Sequence, residues 1–464
     1  MTIDTLADDV LLFVFDFHLA EASEVEAWHT LVHVCRRWRI LVFGSPRRLN
    51  LRIACTNETP VREKLDVWPA LPIVISGKCN SQMCLDRIMA ILEHRDRVCQ
   101  IELSFMWQFE DILEALEEPF PLLTVLKLES TEEFRIPDPD PILTYTGQYL
   151  GGTTHLRSLS LTYIPTPELT NLLLSSTGLV DLRLKEIPFS VFVSPDEMVA
   201  ALSALTRLQV LHLAPEFDER HPDWENRRLP LPTRTVLPSL IELKYKGAIE
   251  YLDDFMARID APLLDHLDIL VSFYFNPVIV LNAPQILRFI GHVPKFQALG
   301  EAHIGIAVDK FKIWINFPST RTSGDVLKLV ILCIEPERQF PLLGQFCRSP
   351  FFSLPTLEHL YIDGGSFSRQ HLRDHTENAR WIELLQPFTL VKNLYLSKDF
   401  ALRIAPALDD LGGEIVTEVL PALENVFIEK LKLYGPVTEA FQNFAAMRQP
   451  SGHPIVVSRW ERSM

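Results

Sequence analysis

One frame recurs along most of this 464-residue chain and limits its fold more than any other feature. Pro121-Leu122-Leu123-Thr124-Val125-Leu126-Lys127-Leu128 reads Pro-x-Φ-x-x-Φ-x-Φ, where Φ is apolar. Pro238, Pro262, Pro284, Pro355 and Pro421 open the same frame, with Gly291 in the last place of the Pro284 copy. Without the proline it returns at Leu156-Leu159-Leu161, Leu179-Leu182-Leu184, Leu208-Leu211-Leu213 and Val391-Leu394-Leu396. One copy would be chance, since Leu is common, but chance does not keep so many copies in one frame. The last two apolar residues alternate on a short strand and point one way. The first turns in from the preceding loop, and a leading Pro is tolerated where no ladder N–H is needed. The middle apolar residues follow one another at 33, 23, 29, 32, 24 and 22 residues, from Leu126 to Phe289. That spacing fits one strand plus a return segment, helical in the longer units, as at Met198–Leu205. No unit can bury its apolar side alone, whereas a stack of them can.

This Leu-x-x-Leu-x-Leu rhythm resembles a leucine-rich repeat. The resemblance implies an α/β solenoid of parallel strands with helical or loop returns over residues 101–433. Residues 51–100 would start the array with a connecting helix, and 434–464 would form a cap or tail. Leu49–Ile53 and Leu71–Ile75 read as its first strands. Over 290–330 the rhythm blurs: Ala302–Ile306 and Phe311–Ile315 are strand-like but too closely spaced for full repeats. An inserted hairpin and a short repeat both fit. Glu132–Pro141 and Glu216–Pro232, charged and Pro-rich, read as loops that are either solvated filler or insertions carrying specificity.

Residues 1–50 are different in kind. A helix start is expected at Thr5, whose hydroxyl can cap a free N–H, with Asp8 suiting the positive end. Val10, Val14 and Phe17 make one apolar line on that helix, and Leu11 and Phe15 make another beside it. Such a helix is either buried on two sides or offered to a partner on one. After an acidic break over Glu21–Ala27, Leu31, Val34, Cys35 and Trp38 fall at the spacing of one face of a second helix, running Trp28–Arg39. Arg36, Arg37 and Arg39 fall off that face and read as solvated.

Leu6-Ala7-Asp8-Asp9-Val10-Leu11, Val14-Phe15, Val34-Cys35-Arg36-Arg37-Trp38 and Ser45-Pro46 together resemble an F-box. Some phrases are similar to the large F-box families of mushroom-forming fungi. The family's module has three helices and docks on the Skp-family linker of cullin-RING ubiquitin ligases. Ala7 stands where the family usually has Pro, and Glu21–Ala27 lengthens the interhelical gap. The resemblance implies a substrate-receptor subunit of an SCF-type ligase. Leu6, Val10, Leu11, Val14, Phe15, Leu31, Val34 and Trp38 would meet the linker, with the cullin beyond it, and the repeats would hold a protein substrate. Trp38 is expected to lock the module to itself and to the first repeats. The alternative is an interaction scaffold with an F-box-like helical cap that never joins a ligase.

Other chemistry has little support. The net charge is −16, from 44 basic and 60 acidic side chains, which argues against nucleic acid as a partner. The longest apolar run, Ile269–Leu281, is broken by Asn276-Pro277 and too short to span a bilayer, so no membrane is expected. Asp4, Asp8 and Asp9 stand where a secretory signal would be basic, so a cytoplasmic or nuclear location is expected. Seven cysteines without a CxxC pair signal neither zinc nor thiol redox chemistry, and Cys79 with Cys84 reads as two buried thiols. Walker, dinucleotide and G-x-S-x-G motifs are missing. His371 and His375, near Asp374 and Glu377, have metal-ligand spacing but lack the Glu of H-E-x-x-H, so a solvated helix face is the simpler reading. His303 reads as a satisfied core histidine. No cofactor, metal or catalytic residue is expected. Binding fits better: the positions between the inward apolar pair would line a concave face. These are Ser160, Arg183, His212, Lys244, Asp268, Tyr361, Tyr395 and Phe427, charged in the first part and aromatic in the last.

Overall fold

The fold was determined as a computed structural model, which describes residues 3–21, 25–45, 49–106, 110–130, 155–164, 169–187, 193–215, 234–273, 284–307, 312–318, 325–333, 342–344, 347, 356–364, 376–411, 415–432 and 434–461. Glu132–Pro141, Glu216–Pro232, Pro46, and the His371, Asp374 and His375 group lie outside these residues. The chain divides into two compact units: residues 1–193 with 204–208, and 194–203 with 209–464.

The first unit opens with helices α1 (Asp8–Glu21), α2 (Trp28–Val32) and α3 (Arg36–Gly44). Next come β1 (Ile53–Thr56), α4 (Val61–Val67), β2 (Ile73–Cys79), α5 (Gln82–Leu92), β3 (Val98–Phe105) and α6 (Glu110–Ala115). β4 (Val125–Ser130), β5 (Ser158–Thr162), α7 (Leu169–Ser175) and β6 (Asp181–Ile187) complete it. All six strands pair in parallel with their sequence neighbours. The expected frame is the register: Cys55, Ile75, Ile101, Leu126, Leu159 and Leu182 stand side by side, all buried. Parallel neighbours need a crossover, and among the described residues α4, α5, α6 and α7 supply it between β1 and β2, β2 and β3, β3 and β4, and β5 and β6.

The second unit begins with α8 (Pro195–Leu202), β7 (Val210–Pro215), β8 (Thr235–Val236), β9 (Glu242–Gly247), α9 (Ile249–Arg258), β10 (Ile259–Asp260) and β11 (His266–Phe273). It continues with α10 (Pro284–His292), β12 (Glu301–Ala307), β13 (Lys312–Pro318), β14 (Asp325–Cys333) and β15 (His359–Gly364). It ends with α11 (Thr376–Leu385), β16 (Asn393–Leu396), α12 (Lys398–Asp409), α13 (Ile415–Glu418), β17 (Asn425–Glu429), α14 (Pro436–Arg448) and β18 (Val456–Trp460). Leu211, Leu243 and Leu267 share one register, as do Leu360, Leu394 and Val426. The helices stack as the strands do, α8 on α9 on α10, and α11 on α12 on α14. On β9, Leu243 and Tyr245 are buried while Lys244 and Lys246 are exposed, so the face away from the helices is open.

Several expectations give way. α1 starts at Asp8, not Thr5; a 3-10 turn precedes it, and the amides of Val10 and Leu11 bond to the Ala7 carbonyl. Trp28–Arg39 is two helices, because Cys35 is extended (φ −158°, ψ 170°). Arg39 Nε donates to the Val32 carbonyl at 3.0 Å, giving the end of α2 a partner outside its own helix. Nor are all the arginines merely solvated: Arg37 donates to Asp8 at 2.6 Å and to the Leu6 carbonyl at 2.5 Å, tying α3 to α1. Of Leu49–Ile53, only Ile53 is strand.

The Pro284 copy is helix α10, not strand. Its Ile286, Phe289 and Ile290 are buried at helical spacing, and Asp253 Oδ1 accepts from the Gln285 and Ile286 amides at 2.8 and 3.0 Å. The irregular region is a hairpin insertion. β12, β13 and β14 form an antiparallel meander, with β14 parallel to β11 and β12 parallel to β15. In the segment expected to form a cap or tail, the described residues 434–461 form α14 and β18, and β18 adds in parallel to β17. The α8 return starts with a capping box in which Ser194 and Glu197 bond each other's backbone amides. All seven cysteines are free thiols, and six are buried. Burial is the main cause that raises the Cys79 thiol to about 12, and Cys84 Sγ bonds the Lys78 carbonyl.

Candidate functional site

The expected face positions divide into two groups. Ser160 is buried. Arg183 is held by Asp181 of its own strand at 2.9 Å. His212 is buried against Glu242 at 2.9 Å, Lys244 shares that carboxylate at 2.5 Å, and Asp268 faces Lys328 at 3.7 Å. Burial pushes the Glu242 carboxyl upward, yet the hydrogen bonds from Lys244 and His212 outweigh it and hold the group below its ordinary value. These charges neutralise each other locally.

The aromatic positions converge. Parallel register sets His303, Tyr361, Tyr395 and Phe427 side by side on β12, β15, β16 and β17. Sheet spacing makes their rings a column. Centroids are 4.3 Å apart from His303 to Tyr361, 4.1 Å to Tyr395 and 4.7 Å to Phe427, with planes within 13°. Each ring is half-buried. Burial, aided by Glu301 and Tyr395, drives the Tyr361 hydroxyl upward, so it stays a neutral donor. His303 is no core residue; its Nε2 meets Glu301 at 2.6 Å on the open face. Trp460 on β18 lies 5.5 Å from Tyr395 and 6.0 Å from Tyr361, tilted 67° and 61°. Both faces of Tyr395 are already covered by its column neighbours, so Trp460 meets the tyrosines at their edges.

His303 and Trp460 were not among the expected face positions. His303 was legible, since it stands between inward Ala302 and Ile304. Trp460 lies in the segment expected to form a cap or tail, where the frame does not recur.

Gly305, opposite Trp314, has its own role on β12. A Cβ there would fall inside the Trp314 indole. Gly305→Ala is expected to displace Trp314 and cost about 1–3 kcal/mol, read as a lowered unfolding midpoint with altered tryptophan emission.

The N-terminal helices hold a second surface. Leu11, Phe15 and Leu31 are buried, so they form the core of the helical module rather than a face. Trp38 is half-buried against Phe15, with centroids 4.7 Å apart, and Leu6 is also half-buried. Val10, Val14 and Val34 are exposed. Val10, Phe13, Val14 and Phe17 fall on one helical face, and Phe13 and Phe17 are 72% and 66% exposed. Phe13 was missed by sequence reasoning, although its spacing from Val10 and Phe17 was available.

Trp28, rather than Trp38, locks this module to the first strands. Its indole N–H donates to the Arg52 carbonyl at 2.9 Å, and its ring packs edge-on against Phe43 and Trp68. His29 stacks on Trp68 at 4.5 Å, and burial lowers its pKa.

Among the described residues no group of His, Cys, Asp or Glu is placed to hold a metal ion, and no helix is long and apolar enough to cross a membrane. No family model and no curated protein matches the chain. Among solved structures it is similar to the leucine-rich repeat-containing protein LegL7 from Legionella pneumophila. Identity is 12%, covering 85% of this chain and 98% of that one, with a TM-score of 0.27. The repeat character rests instead on the strand register of this chain.

Proposed function

We propose that the chain is a protein-interaction scaffold that serves as a substrate-receptor subunit of an SCF-type ubiquitin ligase. The supporting observation is the apolar face of α1, where Val10, Phe13, Val14 and Phe17 stand exposed while Leu11 and Phe15 fill the core. A helix that is apolar on both sides suits a partner on the outer one. The Skp-family linker, leading to a cullin, is the partner suggested by the F-box resemblance of residues 4–50. The strand faces would then hold a protein substrate, and the contribution to transfer would be proximity to the ubiquitin-loaded enzyme. The chain itself would carry no covalent step.

Val14→Glu with Phe17→Glu is expected to weaken linker capture by about a hundredfold. Exposed positions should shift the unfolding midpoint little. Pull-down of linker and cullin by the full chain and this variant is the measurement, and unchanged recovery sinks the reading. Ala7 and the Glu21–Ala27 segment favour the second reading, a scaffold outside any ligase. Linker binding without cullin recruitment would select it.

A further inference from the structure

We propose that the aromatic face of the second unit binds an extended, arginine-bearing peptide segment, with a guanidinium stacked on the outer face of Trp460 beside the Glu429 carboxylate. The proposal rests on reading the strand face as a protein-binding surface, and names the chemistry of what it takes.

The column fixes where a ligand can go. Ring separations of 4.1–4.7 Å leave no room between His303, Tyr361, Tyr395 and Phe427 for another planar group. Those rings present their edges outward. Trp460 meets the tyrosine edges steeply tilted, at centroid distances of 5.5 and 6.0 Å. Distances that short require one indole face toward the tyrosines, which turns its other face away from the column. Glu429 is the register partner of Trp460, so its carboxylate stands next to that ring. The carboxylate also meets Lys430 at 3.7 Å and accepts from the Lys398 amide at 3.4 Å. The amide is that of the first residue of α12, and the Lys430 side chain is exposed.

Charge selects the occupant. The open-face positions of β12 and β15–β18 include three carboxylates, Glu301, Asp363 and Glu429. Not one carries Lys or Arg. Asn393 and Asn425, bonded at 2.9 Å, add polar edges beside the column. A cation attracted to carboxylates and stacked on an indole is the complement of this surface. Arginine fits better than lysine because its planar fork stacks on the ring and bonds a carboxylate at once. The fold already uses the first half of that chemistry nearby, where Lys312 Nζ stands 5.8 Å from the Trp314 ring centre.

The test uses the full chain and a fluorescein-labelled (Arg-Gly-Ser)4 peptide, read by anisotropy. The arginine peptide should bind more tightly than the matching lysine peptide, and far more tightly than a proline-rich peptide of equal length. Trp460→Ala and Tyr395→Ala should each weaken binding by about tenfold, and Glu429→Gln should weaken it as well. Trp460→Phe, which keeps a ring, should retain most of the binding and control for folding. Asp86→Asn, on α5 of the first unit, should change nothing. Equal binding by Trp460→Ala, or equal binding of the proline-rich peptide, overturns the proposal. Val14→Glu with Phe17→Glu should leave peptide binding intact, so failure at the linker and failure here are distinguishable.

Discussion

Trp28→Ala is expected to destabilise the first unit by about 3–5 kcal/mol, the range for a large aromatic removed from a core. Trp28 is 1% exposed and is the meeting point of three parts of the chain. Its ring contacts His29 of its own helix, Phe43 of α3 and Trp68 just after α4. Its N–H satisfies the Arg52 carbonyl, which stands one residue before β1. Truncation would open a cavity among rings fixed by their own partners and leave that carbonyl without its donor. Close by, Glu26 accepts from the Ala54 amide at 2.8 Å and meets Lys64 at 2.5 Å, holding α2 to β1 and α4. These polar ties cannot substitute for the lost packing. Urea unfolding followed by circular dichroism is the measurement. Trp28→Phe, which keeps a ring but loses the donor, should recover more than half. A loss below about 1 kcal/mol would show that the helical module does not depend on this anchor.

Arg448→Met is expected to cost about 3–5 kcal/mol in the second unit, because four backbone acceptors lose one donor group. Arg448 is fully buried at the end of α14. Its Nη1 donates to the carbonyls of Val416, Val419 and Leu420 at 3.4, 2.9 and 3.0 Å, and its Nη2 to Pro421 at 2.9 Å. These carbonyls belong to α13 and the turn after it, the negative end of a short helix. Leu420 has φ 51°, so the turn bends its carbonyls toward the guanidinium. Burial lowers the Arg448 pKa from its ordinary value, and a guanidinium held by four carbonyls remains a cation. Met matches the stem and packs on Phe444, yet it donates nothing. Arg448→Lys should sit between, since an ammonium keeps the charge but cannot fork across four oxygens. Thermal unfolding of the three proteins checks the order.

The ladder is legible in the sequence, and Leu126, Leu159 and Leu182 show why. Burial acts on alternate residues of a strand, so a pattern of period two reports which face is covered. Where the pattern is compatible with two periods, the sequence is ambiguous. Ile286 and Phe289 satisfy the strand frame, whose last place is Gly291, while Ile286, Phe289 and Ile290 satisfy a helix, and tertiary contact decided for the helix through the Asp253 carboxylate. The break at Cys35 has the same origin. The spacing of Leu31, Val34 and Trp38 suits one helix, but Val34 ends exposed and Arg39 turns back to Val32.

Surfaces were less legible than cores. The apolar line Val10, Val14 and Phe17 stands exposed, while Leu11 and Leu31 on the same module are buried. Sequence does not say which of two apolar lines faces inward, because both satisfy helical spacing. On the strands, Tyr361, Tyr395 and Phe427 could be placed on one face by parity alone. Their contact as a column needs a register between strands dozens of residues apart, and Trp460 joins it only because β18 pairs with β17. By itself, then, the sequence determined the repeated strand, its inward apolar pair and the open face opposite. Those follow from local periodicity and the burial each repeat requires. Tertiary structure alone decided the antiparallel meander, the split of the second helix and the stacking of rings. Each depends on which distant segment becomes a neighbour, and no local pattern carries that information.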